Sequence, residues 1–173
     1  MASSFQGVMG NLVTFVPASE RQKADYSEIY NEHCHRIYSL AFYLLDNELA
    51  AEQLLANTFL RVFALKGEPR PEHVDKAFLT EVRELMPIGT LTLDRRVSAE
   101  PRNIRGNVKR VHLERAVVQL PATEKLVFLL HDVESYEQER ISALLGISHE
   151  DSALALHNAR VEIRELLAHQ IGA

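Results

Sequence analysis

SYEQERISALLGISHEDSALALHNARVEIRELL, residues 135–167, holds two short apolar-periodic segments around a glycine corner. Ser135 with Gln138 three residues later has the form of a capping box, so a helix is expected from about Tyr136 to Leu145. Gly146 ends it, because glycine enters the left-handed conformation of a C-terminal turn at no steric cost. Ile147 can plug the corner, and Ser148 with Asp151 forms a second capping box for the next helix. Two capped helices about such a corner form a helix-turn-helix, normally a DNA reader.

Along the last helix, Leu156, Ala159, Ile163 and Leu167 recur at spacings of three and four and read as the buried stripe. The positions between them, His149, Glu150, Asp151, Ala153, His157, Asn158 and Glu162, are expected to face outward. Arg160 and Arg164 are the only cations of that helix, whereas a helix entering a DNA groove normally brings several Lys or Arg to the phosphates. They lie four apart, and pairing with Glu162, Glu165 and nearby acids competes with phosphate contact.

Upstream, Ile29, Tyr30, Ile37, Tyr38, Ala41, Leu44 and Leu45 keep helical spacing from Tyr26 to Leu45, where Asp46-Asn47 breaks the pattern. A second helix is expected from about Glu48 to Phe63 with Ala51, Leu54, Leu55, Thr58, Phe59 and Val62 on its apolar face. So short a break makes the two helices an antiparallel hairpin. Lys66 to Pro71 reads as a loop, and Val74 to Met86 as a further amphipathic helix stopped by Pro87 and Gly89.

The expected organisation is all-α: residues 1–25 an N-terminal arm, 26–93 a helical bundle, 94–112 a linker, and 113–173 the helix-turn-helix domain. Phe5, Val8, Leu12 and Phe15 give the arm the pattern of a short amphipathic turn. The second domain should begin with helices from Leu113 to Leu120 and Thr123 to Asp132, separated by Pro121. Charge follows the same division: 8 Lys or Arg against 12 Asp or Glu over residues 1–93, 6 against 2 over 94–112, and 5 against 10 over 113–173. A basic tether thus joins two acidic domains within a total of -5.

The single cysteine, Cys34, excludes an internal disulfide framework and fits a reducing compartment. No run approaches the roughly 18 apolar residues of a membrane span, and no basic segment precedes an apolar core at the N-terminus, so a cytoplasmic protein is expected. There is no phosphate-cradling glycine loop, nucleophile elbow or zinc motif, and neighbouring His33, Cys34 and His35 point about 100° apart on a helix. No enzyme, cofactor, metal site or catalytic residue is expected.

The hairpin residues Tyr30, His33, Ile37, Tyr38, Ala41, Leu45, Ala51, Glu52, Leu54, Phe59, Leu60 and Arg61 resemble region 2 of the sigma-70 family. Leu120-Pro121, Phe128-Leu129-Leu130, Ile141, Leu144 to Ser148, Leu156, Ala159-Arg160 and Arg164 resemble its region 4. The likeness, over residues 26–63 and 113–167, is to small two-domain extracytoplasmic-function sigma factors. It implies binding to RNA polymerase core, delivery to promoter DNA, help with strand melting, and control by an anti-sigma or other regulatory protein. On this resemblance Glu52, Gln53, Ala56, Asn57 and Leu60 are the candidate polymerase contacts. Ser148, His149, Glu150, His157, Asn158, Arg160 and Arg164 are the candidate DNA contacts.

The departures from the family pattern fall on contact positions. Gln53 to Asn57 replace a more polar, acidic set, and the melting segment Phe78 to Glu84 offers one aromatic and no excess of cations. In the recognition helix Ala153, Ala155, Asn158 and Val161 stand where cations are usual, which weakens the expected grip on promoter DNA. The rival expectation is a degenerate sigma-like interaction module with little or no DNA binding.

Overall fold

Hairpin chemistry sets the first three helices. The computed structural model describes residues 18–93 and 108–172. Helix α1 (Ala18–Leu45) ends where Asp46 takes a positive φ of 49°. Asn47 then accepts a hydrogen bond from the Ala50 N–H at 2.9 Å and so caps α2 (Glu48–Phe63). Pro71 occupies the first turn of α3 (Pro71–Leu85), where its missing N–H costs nothing. Ile37, Leu40 and Leu44 of α1 meet Leu54, Phe59 and Val62 of α2 and Val74, Phe78 and Val82 of α3, all buried.

The remaining elements are α4 (Arg110–Gln119), α5 (Ala122–Phe128), α6 (Gln138–Leu145) and α7 (His149–Gly172). A single π turn, Leu129–Val133, extends α5, and Glu134 N–H closes it on the Leu129 carbonyl. Gly146 adopts the left-handed conformation at φ 67°, and Ser148 Oγ accepts from the Asp151 N–H at 2.9 Å while donating to its carboxylate at 2.8 Å. The expected corner and its second cap are therefore present. Leu156, Ala159, Ile163 and Leu167 are buried, as their spacing indicates.

Several expectations are corrected. Residues 18–25, read as part of an arm, are the first two turns of α1, and α4 starts at Arg110 inside the span read as linker. Ser135 takes a left-handed φ of 59° and caps nothing; Gln138 instead accepts from the Ser152 hydroxyl on α7. The amphipathic pattern read in residues 5–15, and most of the expected linker, lie outside the described residues. Among the described residues no helix is long and apolar enough to cross a membrane.

One core cluster runs through both groups of helices, since α4 and α5 pack on α1 and α6 packs on α3. The seam is also polar. Asp75 of α3, only 5 % exposed, accepts from Arg36 of α1 at 2.8 Å and from Arg140 of α6 at 2.6 Å. Tyr136 Oη accepts from Arg36 at 2.8 Å and lies 3.0 Å from Asp75 Oδ2, to which it donates. The Arg140 guanidinium also stacks 3.9 Å above the Tyr136 ring. Lys125, 6 % exposed, donates to the carbonyls of Leu44 and Val118 near the C-terminal ends of α1 and α4, where the helix dipole favours a cation.

Burial pushes the Tyr136 hydroxyl up to about 12. Because this lies above the ordinary value of about 10, the protonated phenol stabilises the fold fully below pH 10, and that stability is lost as pH rises through the raised value. An alkaline tyrosinate absorbance titration should therefore show a late step near pH 12 that Tyr136→Phe removes. Its survival in the variant would assign the step elsewhere.

Candidate nucleic-acid interface

The outer face of α7 is built by the Gly146 corner, which turns the helix axis, and by the Ser148 cap, which starts the helix at His149. Ser148, His149, Glu150, Asp151, Ala153, His157, Arg160 and Arg164 are exposed. Glu150 and Asp151 lie in the first turn, where they suit the helix dipole but oppose a phosphate. Arg160 donates to both carboxylate oxygens of Asp132, at 3.0 and 2.6 Å. Hydrogen bonding from Arg160, with help from His131, holds the Asp132 carboxyl below its usual range despite partial burial. Arg164 Nε donates to the Arg160 carbonyl one turn back.

Asn158, read as outward-facing, is fully buried, and its Nδ2 donates to the Leu93 carbonyl at 3.0 Å. Ala155 and Val161 are also buried. The cause is that α7 packs on α4, α5 and α6, with the segment leaving α3 against a further side, so it hides more than one stripe. Positions 155, 158 and 161 therefore lack cations because they line the interior.

The sequence reading missed Asp132, whose partner lies 28 residues away, and the buried residues Asp75, Glu124 and Lys125. A signal existed for Asp75: it lies beside Val74 and four residues before Leu79 on a helix buried over much of its circumference. Phe78, the aromatic of the expected melting segment, is 2 % exposed and so does not present its ring to a base. Glu81 of the same helix is tied to Arg61 at 2.6 Å.

A second face lies on α2. Glu52, Gln53, Ala56, Asn57 and Leu60 are all exposed, with Leu49 at 75 % and Leu60 at 67 %. Leu49, Gln53, Ala56 and Leu60 follow helical spacing and share one side of the helix. Among the described residues no group of three or more His, Cys, Asp or Glu is arranged to hold a metal ion.

Residues 110–163 match the family model described as Sigma-70, region 4, which spans the helix-turn-helix and the helices before it. The chain is 28% identical over 174 residues to the ECF RNA polymerase sigma factor SigE of Mycolicibacterium smegmatis, covering 92% of this chain and 68% of that protein. The second half of this chain thus resembles sigma-70 region 4, and the chain as a whole is similar to ECF sigma factors.

It is also 27% identical to the RNA polymerase sigma factor CarQ of Myxococcus xanthus, over 82% of this chain and 88% of the relative. Among solved structures it resembles the sigma factor RpoE of Bartonella quintana, crystallised with the anti-sigma factor NepR. The TM-score is 0.62 at 17% identity, over 83% of this chain and 97% of that one, a likeness of fold. The region 4 match and the likeness to ECF sigma factors support a sigma-factor role in transcription initiation over the interaction-module reading.

Proposed function

We propose that this chain directs transcription initiation by docking on RNA polymerase core through the exposed side of α2 and meeting promoter DNA with the outer side of α7. The α2 face carries the reading. Leu49 and Leu60 expose large apolar surfaces on one side of a helix whose opposite side is fully used by the core. Glu52, Gln53, Ala56 and Asn57 complete that side with uncrowded polar and small groups.

For α7, the contact set is Ser148, His149, Glu150, His157, Arg160 and Arg164, without the buried Asn158. Two guanidiniums, one already held by Asp132, supply little phosphate neutralisation, so promoter binding is weak in isolation and depends on polymerase for the rest. The protein is on this reading a cytoplasmic, non-enzymatic regulator that needs no cofactor. By analogy with the RpoE–NepR complex, an anti-sigma protein is a fitting regulatory partner.

The test is reconstitution with core polymerase and a promoter library, reading promoter-selective run-off transcripts; their absence with core that the chain demonstrably binds would refute promoter delivery. The α7 assignment has its own check in Ala153→Lys with His157→Lys, two exposed positions. Each new phosphate contact should steepen the dependence of log affinity on log salt by about 0.9, giving about 1.8 for the pair in fluorescence anisotropy with duplex DNA. An unchanged slope would mean that this side of α7 does not face the phosphates.

A further inference from the structure

The stretch Gly89 to Leu93, which leads away from α3, is held by three buried side chains of α5 and α7. Thr123 Oγ1 accepts from the Gly89 N–H at 3.2 Å, and Glu124 Oε1 accepts from the N–H groups of both Thr92 and Leu93 at 2.7 Å. Asn158 Nδ2 donates to the Leu93 carbonyl at 3.0 Å. Thr123, Glu124 and Asn158 are each 1 % exposed or less. All four bonds address main-chain groups, the mode by which extended peptides are read regardless of most side chains. The segment behaves as such a peptide: Leu91 and Leu93 are half-buried, while Thr90 and Thr92 are exposed, the alternation of an extended chain.

The fit is incomplete. Glu124 Oε2 and Asn158 Oδ1 are buried and, among the described residues, have no hydrogen-bond partner. A carboxylate offers about four acceptor sites, and here only two bonds to one oxygen are made. Buried acceptors left unmade are unfavourable, so a ligand that brings the same backbone pattern plus donors for those two oxygens would bind better than the chain's own segment. A second copy of this chain would present the identical segment and leave the same two oxygens unfilled, which points to a different protein.

We propose that the cleft formed by Thr123, Glu124 and Asn158 is a peptide-binding site for an extended Leu-x-Leu segment of a partner protein, with Gly89 to Leu93 as the internal competitor. Occupation from outside would release the stretch after α3 from the α5–α7 side of the molecule. The site is distinct from the α2 and α7 faces assigned above.

The probe is a fluorescein-labelled, C-terminally amidated peptide with the sequence of residues 87–93, and the protein is the full chain. Thr92→Pro deletes one N–H that Glu124 receives, while proline and its restriction on Leu91 both tolerate extended backbone. The variant should bind the peptide at least tenfold more tightly than the unmodified chain. Adding Glu124→Gln should remove at least tenfold of that affinity, because neutral hydrogen bonds are weaker than those to a carboxylate. Equal binding by Thr92→Pro and the unmodified chain, or binding indifferent to Glu124→Gln, overturns the proposal. Should Thr92→Pro lose the helical circular dichroism of the fold, Leu91→Asp takes its place under the same two criteria, since it evicts the segment by charge burial.

Discussion

Asp75→Ala should lower the melting temperature by roughly 6–12 °C. The carboxylate is shared by Arg36, Arg140 and Tyr136, and its side chain is 7 % exposed. Removing it takes from Arg36, at 18 % exposure, the carboxylate to which it is hydrogen-bonded, the situation in which breaking an ion pair costs about 3–5 kcal/mol. Arg140 is half-exposed and regains water, which argues for the lower end, about 3 kcal/mol. For a chain of this size each kcal/mol moves the midpoint by about 2–4 °C.

The cluster joins α1, α3 and α6, so calorimetry alone does not separate lost stability from a loosened seam. A double-mutant cycle does. If Arg140 acts through Asp75, the losses from Asp75→Ala and Arg140→Ala overlap, and the pair costs clearly less than the two singles added. Strict additivity, or a midpoint shift under about 2 °C for Asp75→Ala, would show that the cluster is only a surface decoration of the seam.

What could be read from the sequence was local. The antiparallel α1–α2 hairpin follows from apolar spacing and a two-residue break, and the corner from Gly146 with Ser148 and Asp151, because each depends on residues within a few positions of one another. The buried stripe of α7 was legible for the same reason. The failures arose where a helix is covered on more than one side. Ala155 and Asn158 read as positions of the DNA-facing side of the helix, yet both are fully buried. They serve close packing and the Leu93 carbonyl respectively, partners that periodicity does not name.

Asp75 and Glu81 show the same limit. Both lie on a helix with a strong apolar pattern, and a carboxylate there is tolerated only when a cation arrives from elsewhere; Arg36 and Arg140 answer the first, Arg61 the second. Of the candidate site, the α2 residues and most of the α7 residues are where the sequence reading put them, on the surface. Surface position follows from the hydrophobic pattern alone. The binding of Arg160 by Asp132 does not, because the π turn that presents Asp132 has no local signature in the residues that form it.

Leu60→Glu should weaken binding to polymerase core by about 30-fold or more while leaving the melting temperature within about 2 °C. Leu60 is 67 % exposed, so its replacement removes little from the chain's own core, and single surface substitutions away from caps and networks usually stay within about 0.5 kcal/mol. On the α2 face, however, it is a large apolar group available to become the buried centre of an interface, with Leu49, Gln53, Ala56 and Asn57 around it. Truncating such a centre costs 2 kcal/mol or more, about 30-fold, and a carboxylate in its place adds desolvation. Glu52→Gln, on the same helix but at the charged edge, should change affinity by only a few-fold and mainly through the association rate. Surface-immobilised core polymerase with each variant in solution reads both quantities. Equal, small effects of Leu60→Glu and Glu52→Gln would place the polymerase contact on a different side of the molecule, whereas a loss confined to Leu60→Glu with the fold intact fixes the α2 face as the docking surface.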